Sequence, residues 1–317
     1  MDKKIVIITG ISGQDGQYLT KILIENNYFV VGMTTSTNIK FFEEFSPKSL
    51  KVLKVNDYSK EEIETIIDIY PPSCIVNFAA QSSVRKSWDD QDLTWRSNHG
   101  IVLNFLDVIV KFQSRTNSQV HFVQAGSSEM FGNPSELPLH ENSLMFPLSP
   151  YAKSKFEAYK SCQESRTSSN VKIANLILFN HESFLRKPEF LCSQIISQAK
   201  RVKRGEIEFI DLMYGSVKRD WGHAIDFMNA VYMIIEKQIN DDLIISTGKA
   251  HSVKEFAEFA LQTMGVIQLE KHIRVKFEMP PSNIPHTIFG DNTKIRSLIP
   301  WKPSYSFEEM ISEIIQH

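Results

Sequence analysis

Cysteine is scarce in this chain: three in 317 residues, at positions 74, 162 and 192. They are odd in number and far apart, which excludes a disulfide framework and a zinc-ligand pattern and points to a reducing compartment. No stretch approaches the roughly 20 consecutive apolar residues that span a bilayer. No signal-peptide pattern precedes the first apolar run, so a soluble, cytoplasmic protein without a membrane partner is expected. Charge of one sign is also lacking, with 35 Lys and Arg against 37 Asp and Glu. Without a basic stripe there is no surface suited to releasing phosphate counterions, so nucleic acid is not an expected partner. The one basic run, "AKRVKRGE" from Ala199, is short and reads as a solvated helix end. There is no internal repeat and no low-complexity segment.

What is present is a strand–helix alternation. "IVIIT" at Ile5 is a β-branched run suited to a strand buried on both faces, and "YLTKILIENNY" follows with a helical apolar face. Further strands are expected at "FVVGM", "KVLKVND", "CIVNFAA", "VHFVQAG" and "VKIANLILF", with helices such as "SKEEIETIIDIY" between them. This pattern predicts an α/β fold, a doubly wound parallel sheet of Rossmann type. After Asn180 the rhythm loosens. The expectation is a dinucleotide-binding domain over 1–180 and a smaller, interleaved C-terminal substrate-binding lobe over 181–317, with 225–248 returning to the first domain. "SFEEMISEIIQ" reads as a capped closing helix.

Gly10, Gly13 and Gly16 lie between the first strand and the first helix. Glycine there permits a tight turn, close approach of backbone to a pyrophosphate and close helix–sheet packing, while helix N-terminal amides face the phosphates. The implied cofactor is a nicotinamide dinucleotide. NAD and NADP are not separated, because "GMTTSTN" after the second strand has neither the acid that would hold an NAD ribose nor an Arg for the extra phosphate. Thr35 could hydrogen-bond either form, and Asp57, at the end of the third strand, could accept from the adenine amino group.

Tyr151 and Lys155 form a Y-x-x-x-K pair in "SPYAKSKFEAYKSC". On a helix they share one face, and an ammonium beside the phenol lowers its pKa and makes it a usable general base. Ser127, Ser128 and Glu129 follow the strand ending near Gly126, at the sheet edge where such folds place ligands. A serine hydroxyl there could orient a substrate hydroxyl while Glu129 moves a second proton. The bland alternative has the serines capping a turn and Glu129 in water.

"ITGISGQDGQYL", "NFAAQSSV", "SPYAKSK", "LFNHES", "KRDWGHAIDF" and "STGKAHSVKEF" together resemble the GDP-mannose 4,6-dehydratase family, within the extended short-chain dehydrogenase/reductases. The resemblance runs essentially from Ile5 to the "SFEEM" tail. It implies a sugar-nucleotide 4,6-dehydratase acting on GDP-mannose or a related GDP-sugar or heptose, with tightly bound, recycled NAD(P). In that cycle Tyr151 takes the O4 proton during C4 oxidation, Glu129 removes the C5 proton, water leaves from C6 and hydride returns there. Ser127 stands at the family's catalytic threonine position. The resemblance also implies cofactor contacts from Gln14 and Asp15 of the glycine turn and from Ala79 and Ala80 of "NFAA".

Substrate contacts are expected from Ser82, Ser128 and Asn180, with Arg186 and Arg219 as diphosphate partners; Trp221 could instead be core. The sequence departs from the family pattern at Thr35 and Ser36, which replace arginines, at "SFLRKP" after "NHE", at Gln194 and at Pro280. The resemblance implies that the segment after the second strand reaches across a subunit interface in a tetramer; here that segment is short, so a homodimer is expected, with a tetramer as the alternative. Other functions for the same residues are a 4-keto sugar-nucleotide reductase, an epimerase, or a non-catalytic cofactor-bound protein.

Overall fold

The computed structural model describes residues 3–317. Seven strands, β1 (Ile5–Thr9), β2 (Phe29–Thr34), β3 (Leu50–Lys54), β4 (Cys74–Asn77), β5 (His121–Ala125), β6 (Lys172–Leu178) and β7 (Asp242–Ile245), form one sheet. Their spatial order is β7-β6-β5-β4-β1-β2-β3, and the ladders joining β1 to β6 are parallel. Val6, Ile7 and Ile8 are wholly buried, as a β-branched strand is when helices cover both faces. The strand order reverses between β1 and β4, which opens a crevice beyond their carboxyl ends, the usual ligand position of such sheets.

Four helices matter most for that crevice: α1 (Gln14–Glu25), α2 (Lys60–Ile69), α3 (Ile101–Thr116) and α4 (Pro150–Ser168). Each starts for a local reason. Ser59 accepts the Glu62 amide at the head of α2, whose first turn carries Glu61 and Glu62, and the chain leaves that helix at Pro71. Ser149 accepts the Ala152 amide at the head of α4, with Pro150 in the first turn. Helix α3 continues from a π-helical turn, Arg96–Gly100, and ends at left-handed Asn117.

The chain forms two compact units. The first comprises the described part of Met1–Met130, Ser149–Ile177 and Met228–Leu243. Its core brings Ile7, Val31, Ile63, Phe105, Ile109 and Phe122 together. The second comprises Phe131–Leu148, Leu178–Phe227 and Ile244–His317. Strand Ile210–Tyr214 pairs with Ile273–Phe277, and Asn180–Glu182 pairs with Trp221–His223, both parallel. Helices Val253–Thr263 and Phe307–Gln316 each open with a capping box, Ser252 with Glu255 and Ser306 with Glu309. Trp221 lies in this unit's core against Phe256 and Phe307.

The second unit resumes at Leu178, and the later stretch belonging to the first unit is Met228–Leu243. The segment Phe131–Leu148 belongs to the second unit. It contains no regular helix or strand beyond the edge of the preceding turn, so periodicity carried no sign of its affiliation.

Candidate active site

The glycine turn is shaped by close approach. Gly10 has φ +63°, and a Cβ on it would stand 2.9 Å from the Ala79 nitrogen. Gly13 donates to the Gly10 carbonyl at 2.9 Å and is the N-cap of α1, where no side chain occupies the capping position. A Cβ on Gly16 would lie 2.5 Å from Ile11 Cα and from its carbonyl oxygen. The bare cap, the left-handed glycine and the tight packing suit a pyrophosphate laid against backbone at a helix N-terminus. Gln14, which is buried, donates to Asp15 at 3.2 Å. Ala79 is buried and Ala80 half-buried, directly beyond β4.

Around this turn the two sequence-derived ribose and adenine candidates are solvent-facing. Thr35 is exposed, whereas the hydroxyl of neighbouring Thr34 is engaged by Ser12 at 2.9 Å and the Ser36 amide at 3.0 Å. Asp57 is exposed and accepts the Ser59 amide at 3.1 Å. The residue after Asp57 is Tyr58, which sequence reasoning did not single out. Its buried phenol donates to the Met33 carbonyl at 3.2 Å and accepts from the Gly10 amide at 3.3 Å. Burial pushes that phenol up to about 12, so it holds the glycine turn as a neutral hydroxyl.

Tyr151 and Lys155 both lie on α4, one turn apart, and both are buried. The Lys155 ammonium donates to the Ala125 carbonyl at 2.9 Å. Burial pushes its pKa down to about 8, while the charge of Asp15 acts to raise it. The same helix is fixed from outside: Ser154 donates to the Tyr151 carbonyl at 2.8 Å, and Asn98 donates to the Ser154 hydroxyl at 3.0 Å. Asn98 also accepts the Gln81 amide at 2.8 Å and donates to the Gln81 carbonyl at 3.0 Å. The π-helical turn thus ties α4 to the segment beyond β4. Asn98 had no sequence signature, because a π-turn is set by packing and not by residue spacing.

Ser127 and Ser128 are buried and Glu129 half-buried, in the turn that leaves the carboxyl end of β5. Ser127 Oγ accepts the Glu129 amide at 3.2 Å, a turn-capping bond that leaves the hydroxyl hydrogen for another acceptor. Gly126 makes this exit: its amide donates to the Leu176 carbonyl at 2.6 Å, and a Cβ there would stand 2.8 Å from the same oxygen. Ser82 is exposed, beyond β4. Tyr151, Lys155, Ser127, Ser128, Glu129, Ser82 and the glycine turn are all carried by the first unit.

Asn180, Arg186 and Arg219 are carried by the second unit. Asn180 opens the strand pairing with Trp221 and is half-buried. Arg186 forms an ion pair with buried Glu182 at 3.0 Å, and its guanidinium lies over the Phe190 ring at 3.8 Å. Arg219 donates to the carbonyls of Lys218 and Pro285, both at 2.9 Å. Its neighbour Asp220 is buried and accepts from Thr247, Gly248 and Gly290, so it pins two other chain segments to its own. Among the described residues no group of three or more His, Cys, Asp and Glu is placed to hold a metal ion.

The model of the GDP-mannose 4,6 dehydratase family matches residues 7–314. The chain belongs to this family. Similar proteins include the GDP-mannose 4,6 dehydratase of Dictyostelium discoideum, 30% identical over 99% of this chain and 95% of that protein, and that of Homo sapiens, 30% identical over 99% and 91%. The Drosophila melanogaster enzyme of the same name is 31% identical over 99% and 85%. Solved structures with the same fold include a UDP-glucose 4-epimerase of Thermus thermophilus in complex with NAD, with TM-score 0.84 at 22% identity, covering 99% and 98% of the two chains. A dTDP-glucose 4,6-dehydratase of Bacillus anthracis, also in complex with NAD, has TM-score 0.84 at 20% identity over 99% and 96%. No described helix is long and apolar enough to cross a membrane.

Proposed function

We propose that this chain is a sugar-nucleotide 4,6-dehydratase that converts GDP-mannose, or a GDP-sugar of related shape, to a 4-keto-6-deoxy product. The dinucleotide turn, the reacting side chains and the substrate candidates Ser82 and Ser128 are carried by the first unit, and the substrate candidates Asn180, Arg186 and Arg219 by the second. The observation that carries this is the assembly, within one compact unit, of a buried Tyr151–Lys155 helix face and the Ser127–Glu129 turn.

The residue roles follow from that assembly. Lys155 favours the phenolate of Tyr151, which takes the proton of the sugar O4 hydroxyl as C4 is oxidised. Ser127 donates its remaining hydrogen to the developing ketone oxygen. NAD(P)+, held by the glycine turn, would supply the reversible hydride acceptor that C4 oxidation and C6 reduction require. The C4 ketone acidifies C5, whose proton passes to Glu129 and then to the departing C6 hydroxyl, which leaves as water; as C6 is reduced, Tyr151 gives C5 the proton it took from O4 and is ready for the next cycle. The product keeps the C4 ketone and has lost one water, with no net cofactor consumption. A reductase would consume NAD(P)H stoichiometrically, and an epimerase would lose no water.

Gly10, Gly13, Gly16, Gln14, Asp15, Ala79 and Ala80 would hold the dinucleotide; Thr35 and Asp57 are available to either NAD or NADP. Ser82, Ser128, Asn180 and Arg219 would contact the substrate. Arg186 would reach a diphosphate by exchanging its ion pair with Glu182. A cytoplasmic location agrees with three free, buried cysteines. A homodimer is supported by exposed Trp88, Leu93, Trp95 and Leu103, which lie on consecutive helical segments.

The test is product mass spectrometry after incubating the purified protein with GDP-mannose and NAD(P)+. Loss of one water without NAD(P)H accumulation is expected. A product of unchanged mass, or NAD(P)H built up in proportion to product, would overturn the dehydratase assignment.

A further inference from the structure

We propose that Gln124 is a positioning residue for Lys155, and through it for the ionisation of Tyr151, acting by way of the Ala125 carbonyl. This rests on the proposed roles of Tyr151 and Lys155 and not on the identity of the sugar.

The observation is a line of buried polar side chains that crosses three neighbouring strands of the sheet, β1, β4 and β5. Asn77 of β4 and Gln124 of β5 are partners in register, and each is only 1% exposed. Thr9, at the end of β1, is wholly buried. Their hydrogen bonds run in one direction. The Ala79 amide donates to Thr9 Oγ1 at 3.0 Å, and the Thr9 hydroxyl donates to Asn77 Oδ1 at 2.5 Å. Asn77 Nδ2 donates to Gln124 Oε1 at 2.8 Å, and Gln124 Nε2 donates to the Ala125 carbonyl at 2.9 Å. The line ends where Lys155 Nζ donates to that same carbonyl, also at 2.9 Å.

The order of donors leaves Gln124 one orientation. Its amide oxygen is committed to Asn77, so its amide nitrogen faces the carbonyl. A carbonyl oxygen has two lone pairs, and here both are filled, one by a neutral amide and one by the ammonium. The peptide oxygen that anchors Lys155 therefore cannot turn away. Apolar residues at 77 and 124 would pack a sheet interior without any need for buried hydrogen bonds, so sheet packing alone does not call for this line. Its starting point is also informative. It begins at Ala79, against which Gly10 of the dinucleotide turn is packed. The glycine turn and the anchor of Lys155 thereby share one rigid connection.

The consequence is electrostatic. An ammonium held at one place one helical turn from the phenol lowers the phenol pKa; an ammonium released to several positions lowers it less. The experiment uses the full chain loaded with NAD(P)+ and the Gln124→Met variant, which keeps side-chain volume but removes the donor. Ionisation of Tyr151 is read from near-ultraviolet tyrosinate absorbance, as the difference between each protein and its own Tyr151→Phe counterpart. The expected result is an upward shift of the Tyr151 midpoint by about one pH unit, with the acid limb of turnover moving by the same amount. If the single variant does not fold, the Asn77→Leu/Gln124→Met pair removes the amide that the single change leaves without a partner, and the same shift is expected of it.

An unchanged Tyr151 midpoint in a folded, cofactor-binding variant would overturn the proposal, even if thermal stability has fallen. So would a wild-type midpoint at the ordinary phenol value. The phenol titration needs no sugar. A wild-type protein that converts no sugar nucleotide would therefore defeat the dehydratase assignment while leaving this test to give its own answer.

Discussion

Lys155 holds a charge where burial resists it. The ordinary lysine value of 10.5 falls to about 8, with burial as the leading cause and Asp15 pulling the other way. Between those two pH values the unfolded chain binds a proton that the folded chain does not. Stability is therefore depressed below pH 8 by on the order of 3 kcal/mol, and the deficit fades as pH rises towards 10.5. Lys155→Met is expected to melt several degrees higher than wild type at pH 7, with the gain lost at pH 10, while turnover disappears. Calorimetry at the two pH values checks this, and a variant less stable at pH 7 would contradict it. The Tyr-Lys spacing was legible in the sequence, since four residues make one helical turn. The burial that sets the lysine's pKa was not.

Elements place these residues by how closely they pack. Helix α1 begins against β1 because Gly13 leaves its cap open and Gly16 brings backbone onto Ile11. A methyl group on Gly16 would sit 2.5 Å from backbone atoms that have no side-chain freedom to yield. Gly16→Ala is therefore expected to weaken NAD(P)+ binding by roughly tenfold or more and to lower the melting temperature, through a shifted helix start. Cofactor titration and thermal melting measure the two effects; wild-type affinity would show that the helix tolerates the shift. The three glycines and the flanking strand and helix were readable from spacing. Tyr58, which holds the same turn from the far end of β3, was not, because its partners at Gly10 and Met33 come from distant parts of the chain.

Across the whole molecule, acid acts on histidines kept neutral inside. His121 on β5 is buried with its Nε2 at 2.9 Å from the Ile239 carbonyl, and burial lowers its pKa to about 4. His99, His223 and His251 are also lowered, each chiefly by burial. The unfolded chain protonates these groups first, so the stability they contribute is complete above pH 6.5 and is lost as pH falls below it, for His121 down to about 4. His121 alone accounts for about 2 kcal/mol between pH 6.5 and 5. His121→Asn should unfold with a smaller difference between denaturation curves at pH 7 and pH 5 than wild type does. An unchanged difference would show that His121 is not part of the acid response.

The sequence alone determined the order of strands and helices, the glycine turn and the Tyr151–Lys155 face, because each is a local pattern with a period of two or 3.6 residues. The family resemblance was equally local, being carried by short runs such as "GQDG" and "NHES". Only the tertiary structure decided which unit Phe131–Leu148 joins and that Arg186 is held by Glu182. It alone revealed that Thr9, Asn77, Gln124 and Lys155 lie on one line of hydrogen bonds. Asn77 and Gln124 were visible as polar residues inside apolar runs, yet a polar residue in a strand does not name its partner. Parallel pairing brings together residues far apart in sequence, and buried amides must find partners wherever the sheet puts them.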